Sequence, residues 1–331
     1  MATRAAPELI EAIRADRRSG LYTDAEIAER NGVSRQSVIR HGRGIRAGGT
    51  RPHANARYAA NVNPAAGEPE LPRSEAGEPE FPPPLTRPFV PLQIDLDGWA
   101  GVVGDVHAPF HDEKALRAAV KEMRGVGIRL LLLNGDILDM RGVSPFYREP
   151  DEVAVVGEIE AGRKLLRWLR WQFPDARVVY REGNHEFRLR RFIAEKAKEL
   201  FGLPGTTLPE LLGLGDLKIE WVQDKRLIRI GKLNTLHGHE LSKGGGVNPA
   251  RYAFLKTTDT VMVGHWHQTS NHTQRTLGDK QITTWSVGCL CALSPDYAPF
   301  GQANHGFALV HVDRDGSFQV RNHRVRDGRI E

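Results

Sequence analysis

From about residue 91 onward, short apolar runs alternate with longer stretches of helical spacing. "WAGVVGD", "IRLLLLNGD" and "ARVVYREGNHE" read as strands. The second holds a continuous apolar run, as expected where both faces of a sheet are covered. "HDEKALRAAVKEMRG", "EVAVVGEIEAGRKLLRWLRWQF" and "FRLRRFIAEKAKEL" read as helices. The second half changes rhythm. "KIEWVQ", "RLIRIG", "LNTLHGHE", "DTVMVG", "QITTWSVG", "HGFALVHV" and "SFQVRNHRV" are strand-like, with loops between them. A βαβαβα half followed by a strand-rich half predicts a layered α/β sandwich around two sheets.

Two other segments precede this one. Residues 1–47 are helical in pattern, whereas 48–90 hold nine of the chain's twenty prolines and repeat "AGEPELP" at 66–72 as "AGEPEFP" at 76–82. Pro, Gly, Ala and Glu without apolar periodicity bury no core, so this segment reads as a flexible linker stiffened by proline. Within the first segment, "TDAEIAERNGVSRQSVIRHGRGI" lets Thr23 cap a helix through Arg30, Asn31-Gly32 make a turn, and Ser34 cap a second helix. Ala28 and Gly32 are small where the helices would cross closely, while Ile27, Val33 and Val38 would bury. "PELIEAIRADRRSG" supplies a preceding helix. The layout resembles helix-turn-helix DNA-binding domains, and the resemblance implies that Arg35, Gln36 and Arg40 face the major groove. Seven arginines and no acidic residue between Arg30 and Gly67 add a footprint for phosphate backbone.

At 331 residues the chain accommodates one large domain and a small one, and its net charge of +5 leans mildly toward anionic partners. Cys289 and Cys291, one residue apart, are poorly spaced for a mutual disulfide and read as reduced core thiols. "MATRAAPELIEAIRADRR" carries charges throughout and no apolar core, so no secretory leader is expected. No apolar run approaches the roughly 18 residues of a membrane span. A soluble, cytoplasmic protein without a membrane partner is expected; its oligomeric state is left open.

The chemistry gathers at strand ends. "GVVGDVH" ends in Asp105 and His107, "LLLNGDILD" in Asp136 and Asp139, and "VYREGNHE" in Asn184, His185 and Glu186. "NTLHGHE" ends in His237 and His239, and "VMVGHWH" in His265 and His267. Ligands of α/β sheets collect beyond the carboxyl ends of strands. Gly104, Gly135, Gly183, Gly238 and Gly264 beside these residues permit sharp turns and close backbone approach. A single His or Asp in such a place is usually structural; five clusters together are hard to obtain from turn chemistry. Carboxylates, imidazoles and an amide oxygen suit transition metals of mixed N/O preference, and there are enough donors for two ions. Alternation along an extended strand would send His265 and His267 to different faces, hence to two ions or to an ion and the substrate.

In order, "DVH", "GDILD", "GNHE", "LHGH" and "GHWH" over residues 105–267 match the pattern of the calcineurin-like metallophosphoesterase superfamily, which this arrangement resembles. The resemblance implies a four-layer α/β/β/α sandwich and two divalent transition-metal ions, manganese foremost and iron or zinc as alternatives. It implies that Asp105, His107 and His267 bind one ion, that Asn184, His237 and His265 bind the other, and that Asp136 bridges them. It further implies hydrolysis by a hydroxide held between the ions. His185 would contact the phosphate or protonate the leaving oxygen, with Asp139 orienting it. His239 would touch either the substrate or a carbonyl.

Superfamily protein phosphatases read GDxVDRG at the second motif, whereas "GDILDMRG" inserts Met140 before Arg141, and they lack the GHxH present here. Both points favour the phosphodiesterase and nuclease branch. "ELSKGGGVNPARY" reads as a mobile glycine loop flanked by Lys243 and Arg251, which with Arg141 are candidate substrate cations. Arg188, Arg190 and Arg191 could track a polyanion. The sequence therefore predicts a dinuclear phosphodiesterase or nuclease acting on DNA. A phosphomonoesterase or small-nucleotide hydrolase is the first alternative, and a DNA-binding regulator with a non-catalytic metal domain the second.

Overall fold

The structure is a computed structural model that describes residues 7–19, 24–41, 89–145, 154–223, 225–241, 244–294 and 301–331. The proline-rich segment, Thr23 and Lys243 lie outside the described residues, save Phe89 and Val90 at the segment's end. The chain divides into two compact units, residues 1–85 and 86–331.

In the first unit, α1 (Pro7–Ser19), α2 (Asp24–Arg30) and α3 (Arg35–His41) surround a small core. Ile13, Ile27, Ala28 and Val38 are buried there, with Leu9 and Val33 packed against them. The Asn31 amide donates to the Ile27 carbonyl at 2.9 Å and to Asp16 Oδ2 at 3.0 Å, which ties the turn back to α1. Ser34 Oγ accepts from the Ser37 N–H at 3.3 Å, in the manner of an N-cap. Gly32 differs from expectation. It sits at φ +61 with nothing among the described residues within 4 Å of where a Cβ would be. Its role is the left-handed turn, not a close helix crossing.

The second unit runs β1 (Leu92–Ile94), β2 (Gly98–Val103), α4 (Glu113–Val126), β3 (Leu130–Leu133), α5 (Val155–Gln172) and β4 (Arg177–Arg181). There follow α6 (Phe187–Lys196), α7 (Leu208–Leu212), β5 (Ile219–Val222), β6 (Ile228–Ile230), β7 (Leu233–Thr235), α8 (Pro249–Thr257) and β8 (Val261–Val263). Then come β9 (Ser270–Arg275), β10 (Gln281–Ser286), β11 (His305–Val312), β12 (Phe318–Arg326) and β13 (Arg329–Ile330). One sheet has the order β13-β12-β11-β2-β3-β4-β5, the other β1-β6-β7-β8-β10-β9. Strands β2 to β5 pair in parallel, as do β7 and β8.

Alternation along the strands builds the layers. On β3, Leu131 and Leu133 join a core with Met123 of α4 and Leu166 of α5, while Leu130 and Leu132 join a core with Ile228, Ile230 and Met262 of the other sheet. Every position of β3 is therefore buried, which is why its apolar run is unbroken. On β8, Val261 and Val263 pack with Ala253 of α8, whereas Met262 turns inward. The result is helices, sheet, sheet, helix: the expected four-layer sandwich. Helix α8 was not expected. Its sequence reads as the end of a glycine loop, but Asn248 accepts from the Arg251 N–H at 3.0 Å and Pro249 opens the helix.

Candidate metal centre

All five motifs lie just past the carboxyl ends of strands: β2, β3 and β4 in one sheet, β7 and β8 in the other. The turns there are made largely by the polar residues themselves. Asp105, His107, Asp136, His265 and His267 have φ between 51° and 69°. The left-handed region costs a non-glycine residue about 1–2 kcal/mol, and such strain collects at functional sites. It also revises one expectation. His265 and His267 do reach different clusters, but through left-handed turns, not by alternation along an extended strand.

Several neighbouring glycines serve close approach. A Cβ on Gly183 would lie 2.2 Å from Asp136 Oδ1, and one on Gly264 2.7 Å from Asp105 Oδ2. No side chain larger than hydrogen fits between these loops without moving a donor.

Two donor clusters share a boundary. In the first, His267 Nε2 lies 3.3 Å from His107 Nε2 and 3.3 Å from Asp105 Oδ1. In the second, His237 Nε2 lies 3.1 Å from Asp136 Oδ2 and 3.1 Å from Asn184 Oδ1, and Asp136, His237 and His265 bring ligand atoms within 4.8 Å of one another. Asp136 also groups with Asp105 and His107 within 4.8 Å, so it belongs to both clusters. Donors bound to a common ion at about 2.1 Å stand roughly 3.0–3.4 Å apart, the spacing seen here.

The imidazoles are pre-oriented from behind. His107 Nδ1 meets Asp139 Oδ1 at 2.8 Å, His237 Nδ1 meets the Asn134 carbonyl at 2.8 Å, and His267 Nδ1 faces Cys291 Sγ at 3.8 Å. A hydrogen bond at Nδ1 leaves the Nε2 lone pair for the cluster, as in metal sites generally. Asp105 Oδ1 is fully buried yet has no hydrogen-bond partner among the described residues. The donor set therefore fits divalent metal ions.

Charge points the same way. Burial raises the Asp136 pKa, but His237 and His185 outweigh it and hold the carboxyl well below its usual range. Asp105 is likewise raised by burial and lowered further by His267. Burial lowers His237, but Asp136 and Asp105 push it up to about 10. Ionised carboxylates that draw protons onto neighbouring imidazoles mark a centre short of positive charge.

Further carboxylates brace the loops. Glu186, fully buried, accepts from the N–H groups of Asp136 (2.9 Å), Ile137 (2.7 Å), Leu138 (3.0 Å) and Gly183 (2.9 Å), and from the Tyr180 hydroxyl (2.8 Å). It staples the loop after β3 to the loop after β4. Glu240 accepts from the N–H groups of His237 (3.2 Å) and Gly238 (2.6 Å), and Arg181, buried on β4, reaches it at 3.2 Å. Arg181 also donates to the Thr235 carbonyl at 2.7 Å, which links the two sheets beneath the site.

Asp139 lies 3.0 Å from His185 Nδ1 through its carboxylate and 2.8 Å through its carbonyl. The His185 N–H donates to Asp136 Oδ1 at 2.9 Å. His239 sits at the rim, its ring 5.4 Å from that of His237 and 6.3 Å from that of His265. Arg141 opens a short 3-10 turn two residues past Asp139, its N–H bonded to Glu158 at 2.7 Å. Arg251 is exposed in the first turn of α8, a helix packed on β8, β9 and β10, and not on a glycine loop. The side chains of Arg35 and Arg40 lie outside the described residues, whereas Gln36 is exposed on α3. Of the basic residues on α6, Arg190 pairs with Glu182 at 3.0 Å and Arg191 with Glu195 at 2.7 Å. Arg188 instead contacts the Asp139 carbonyl and His185. Glu186, Glu240, Arg181 and Asn134 were not assigned roles from sequence, although Glu186 stood inside the quoted "GNHE".

Comparison with known proteins follows this geometry. No protein-family model matches the chain, and no curated sequence matches it. Among solved structures, a single mutant of Vps29 from Entamoeba histolytica is similar at 15% identity over 70% of this chain and 96% of that one, with a TM-score of 0.39. YfcE, a phosphoesterase from E. coli, is similar at 16% identity over 67% and 98%, with a TM-score of 0.32. A dimetal phosphatase from Danio rerio is similar at 13% identity over 69% and 96%, with a TM-score of 0.34.

Proposed function

We propose that the chain is a dinuclear metal-dependent phosphoesterase whose preferred substrate is the phosphodiester of DNA. The observation that carries the hydrolytic reading is the convergence of His107, His237 and His267 Nε2 atoms with Asp105, Asp136 and Asn184 oxygens in two clusters that share Asp136. In this reading Asp105, His107 and His267 hold one divalent ion, Asn184, His237 and His265 hold the second, and Asp136 belongs to both. Manganese suits these hard oxygen and imidazole donors, as do iron and zinc. Bound there, the ions supply positive charge against the phosphoryl oxygens and make water a nucleophile near neutral pH.

The chain's own residues do the rest. Asp139 holds His107 and His185 together through one carboxylate, so donor and acid-base group keep a fixed relation. His185, at the edge of the centre, contacts the phosphate or delivers a proton to the leaving oxygen. Glu186 and Glu240 keep the loops from relaxing.

The DNA preference is supported by the three-helix unit with its short turn and by the arginine-rich, acid-free stretch from Arg30 to Gly67. Gln36, Arg35 and Arg40 are the residues proposed to read bases. Tethering would raise the local concentration of the hydrolytic unit at DNA.

The test is hydrolysis of bis-p-nitrophenyl phosphate and p-nitrophenyl phosphate with Mn²⁺, with single- and double-stranded DNA alongside. Cleavage of diester and DNA, abolished by EDTA, is expected. Monoester hydrolysis with DNA intact would replace the nuclease reading with that of a phosphomonoesterase.

A further inference from the structure

Arg188 stands in the first turn of α6, immediately after the residues of the centre. One guanidinium nitrogen donates to the Asp139 carbonyl at 2.8 Å, and the other lies 2.9 Å from His185 Nε2. His185 Nδ1 is engaged on its far side by Asp139. A guanidinium offers donors only, so the nitrogen it meets must present a lone pair. While this contact stands, the ring atom that faces the centre is covered and carries no proton to give.

Two features mark the contact as a resting one. First, neither acceptor is a carboxylate, so among the described residues Arg188 brings a full charge to the rim of the centre without the ion pair that Arg190 and Arg191 each have. Second, two of the five N–H groups of a guanidinium are used, one on each terminal nitrogen, so the planar fork remains able to meet two oxygens.

We propose that Arg188 is a substrate-phosphate clamp that doubles as a cover. When an ester binds, the guanidinium leaves His185 Nε2 for non-bridging phosphoryl oxygens. The anion gains its charge partner, and the uncovered Nε2 is freed to take up a proton from solvent and present it to the leaving group. Without an anion, the pair returns to the covered arrangement. This deepens the phosphoesterase reading and rests on it for the identity of the anion.

The experiment measures binding of inorganic phosphate to the metal-loaded full-length chain by calorimetry, with steady-state hydrolysis of bis-p-nitrophenyl phosphate in parallel. A lost charge-assisted contact corresponds to about ten- to a hundredfold. Arg188→Ala should weaken phosphate binding by that factor and raise KM by a similar one, with a smaller change in kcat. Arg188→Lys should recover part of the binding but not all, because an ammonium lacks the fork. Arg191→Ala, on the outer face of the same helix, should leave both readouts unchanged. Should Arg188→Ala fail to fold, Arg188→Gln keeps two N–H donors without the charge and is expected to show the same loss. Phosphate binding by Arg188→Ala or Arg188→Gln at wild-type strength would overturn the proposal, as would an equal loss in Arg191→Ala. Arg188-dependent phosphate binding in a protein that hydrolyses no ester would leave the clamp standing and overturn the phosphoesterase reading.

Discussion

His107, His237 and His267 each commit one ring nitrogen to a partner outside the donor clusters, and those partners decide what the other nitrogen can do. Asp139 serves two imidazoles, so its loss is expected to disturb metal binding as well as turnover. His185 is different: it contacts Asp139, Asp136 and Arg188, and although it groups with His107 and Asp139, the proposal gives it to acid-base chemistry and not to the donor set. His185→Ala should therefore keep its metal content while turnover falls by about a hundredfold, the scale of one acid-base group. Metal loss in that variant would reassign His185 to the donor set. Glu240 gives a pH prediction. Burial raises its pKa, but Arg181 and the neighbouring imidazoles outweigh this and lower it from 4.5 to about 2. A depressed folded-state pKa contributes stability above the unfolded value, and this contribution disappears as pH falls from about 4.5 toward 2. The shift corresponds to roughly 3 kcal/mol. Glu240→Gln should lower neutral-pH stability by at least that order, since it also leaves Arg181 buried without its carboxylate, and should flatten acid unfolding in that window. Unfolding curves between pH 2 and 7 check both. The donors themselves were legible because Asp, His and Asn cluster beside glycine in the sequence. Their supports were not. The Asn134 carbonyl and Cys291 become partners only through tertiary contact, and no local pattern names them.

At the scale of elements, the site depends on how closely the loops after β3 and β4 approach. Gly183 is the point of nearest contact, where a Cβ would lie 2.2 Å from Asp136 Oδ1 and 2.5 Å from the Asp136 nitrogen. Gly183→Ala is expected to cost about 1–3 kcal/mol in stability, as overpacking does, and to weaken metal binding further because the shared donor must shift. Thermal melts with and without Mn²⁺ separate the two effects: the metal-dependent gain in Tm should shrink in the variant. Strands β3 and β8, which carry part of the site, were legible because burial on both faces leaves unbroken apolar runs. Strand β9 was not, since its "SNHTQR" is polar and mostly exposed at a sheet edge. Helix α8 was missed for a different reason: Gly244, Gly245 and Gly246 dominate the local reading, whereas Asn248 and Pro249 start a helix immediately afterwards.

At the scale of the molecule, the proposal assigns hydrolysis to residues 91–331 and DNA affinity to the first unit. A fragment beginning near residue 90 should hydrolyse bis-p-nitrophenyl phosphate at the full-length rate but bind DNA more weakly, with a shallower dependence on salt. Loss of diester hydrolysis in that fragment would contradict the division. The two-layered core was readable from periodicity alone, because period-2 alternation and helical spacing are local signals. The shared position of Asp136 between the clusters was implied only by the family resemblance and not by periodicity, since it follows from how two sheets meet. That shared carboxylate is the centre of the account. The most direct measurement is metal content per chain after saturation with Mn²⁺ and removal of excess, for the wild type and Asp136→Asn. Two ions per wild-type chain, with a clear loss in the variant, is the predicted result. One ion or none in the wild type, or two in both proteins, would contradict a dinuclear centre built on Asp136.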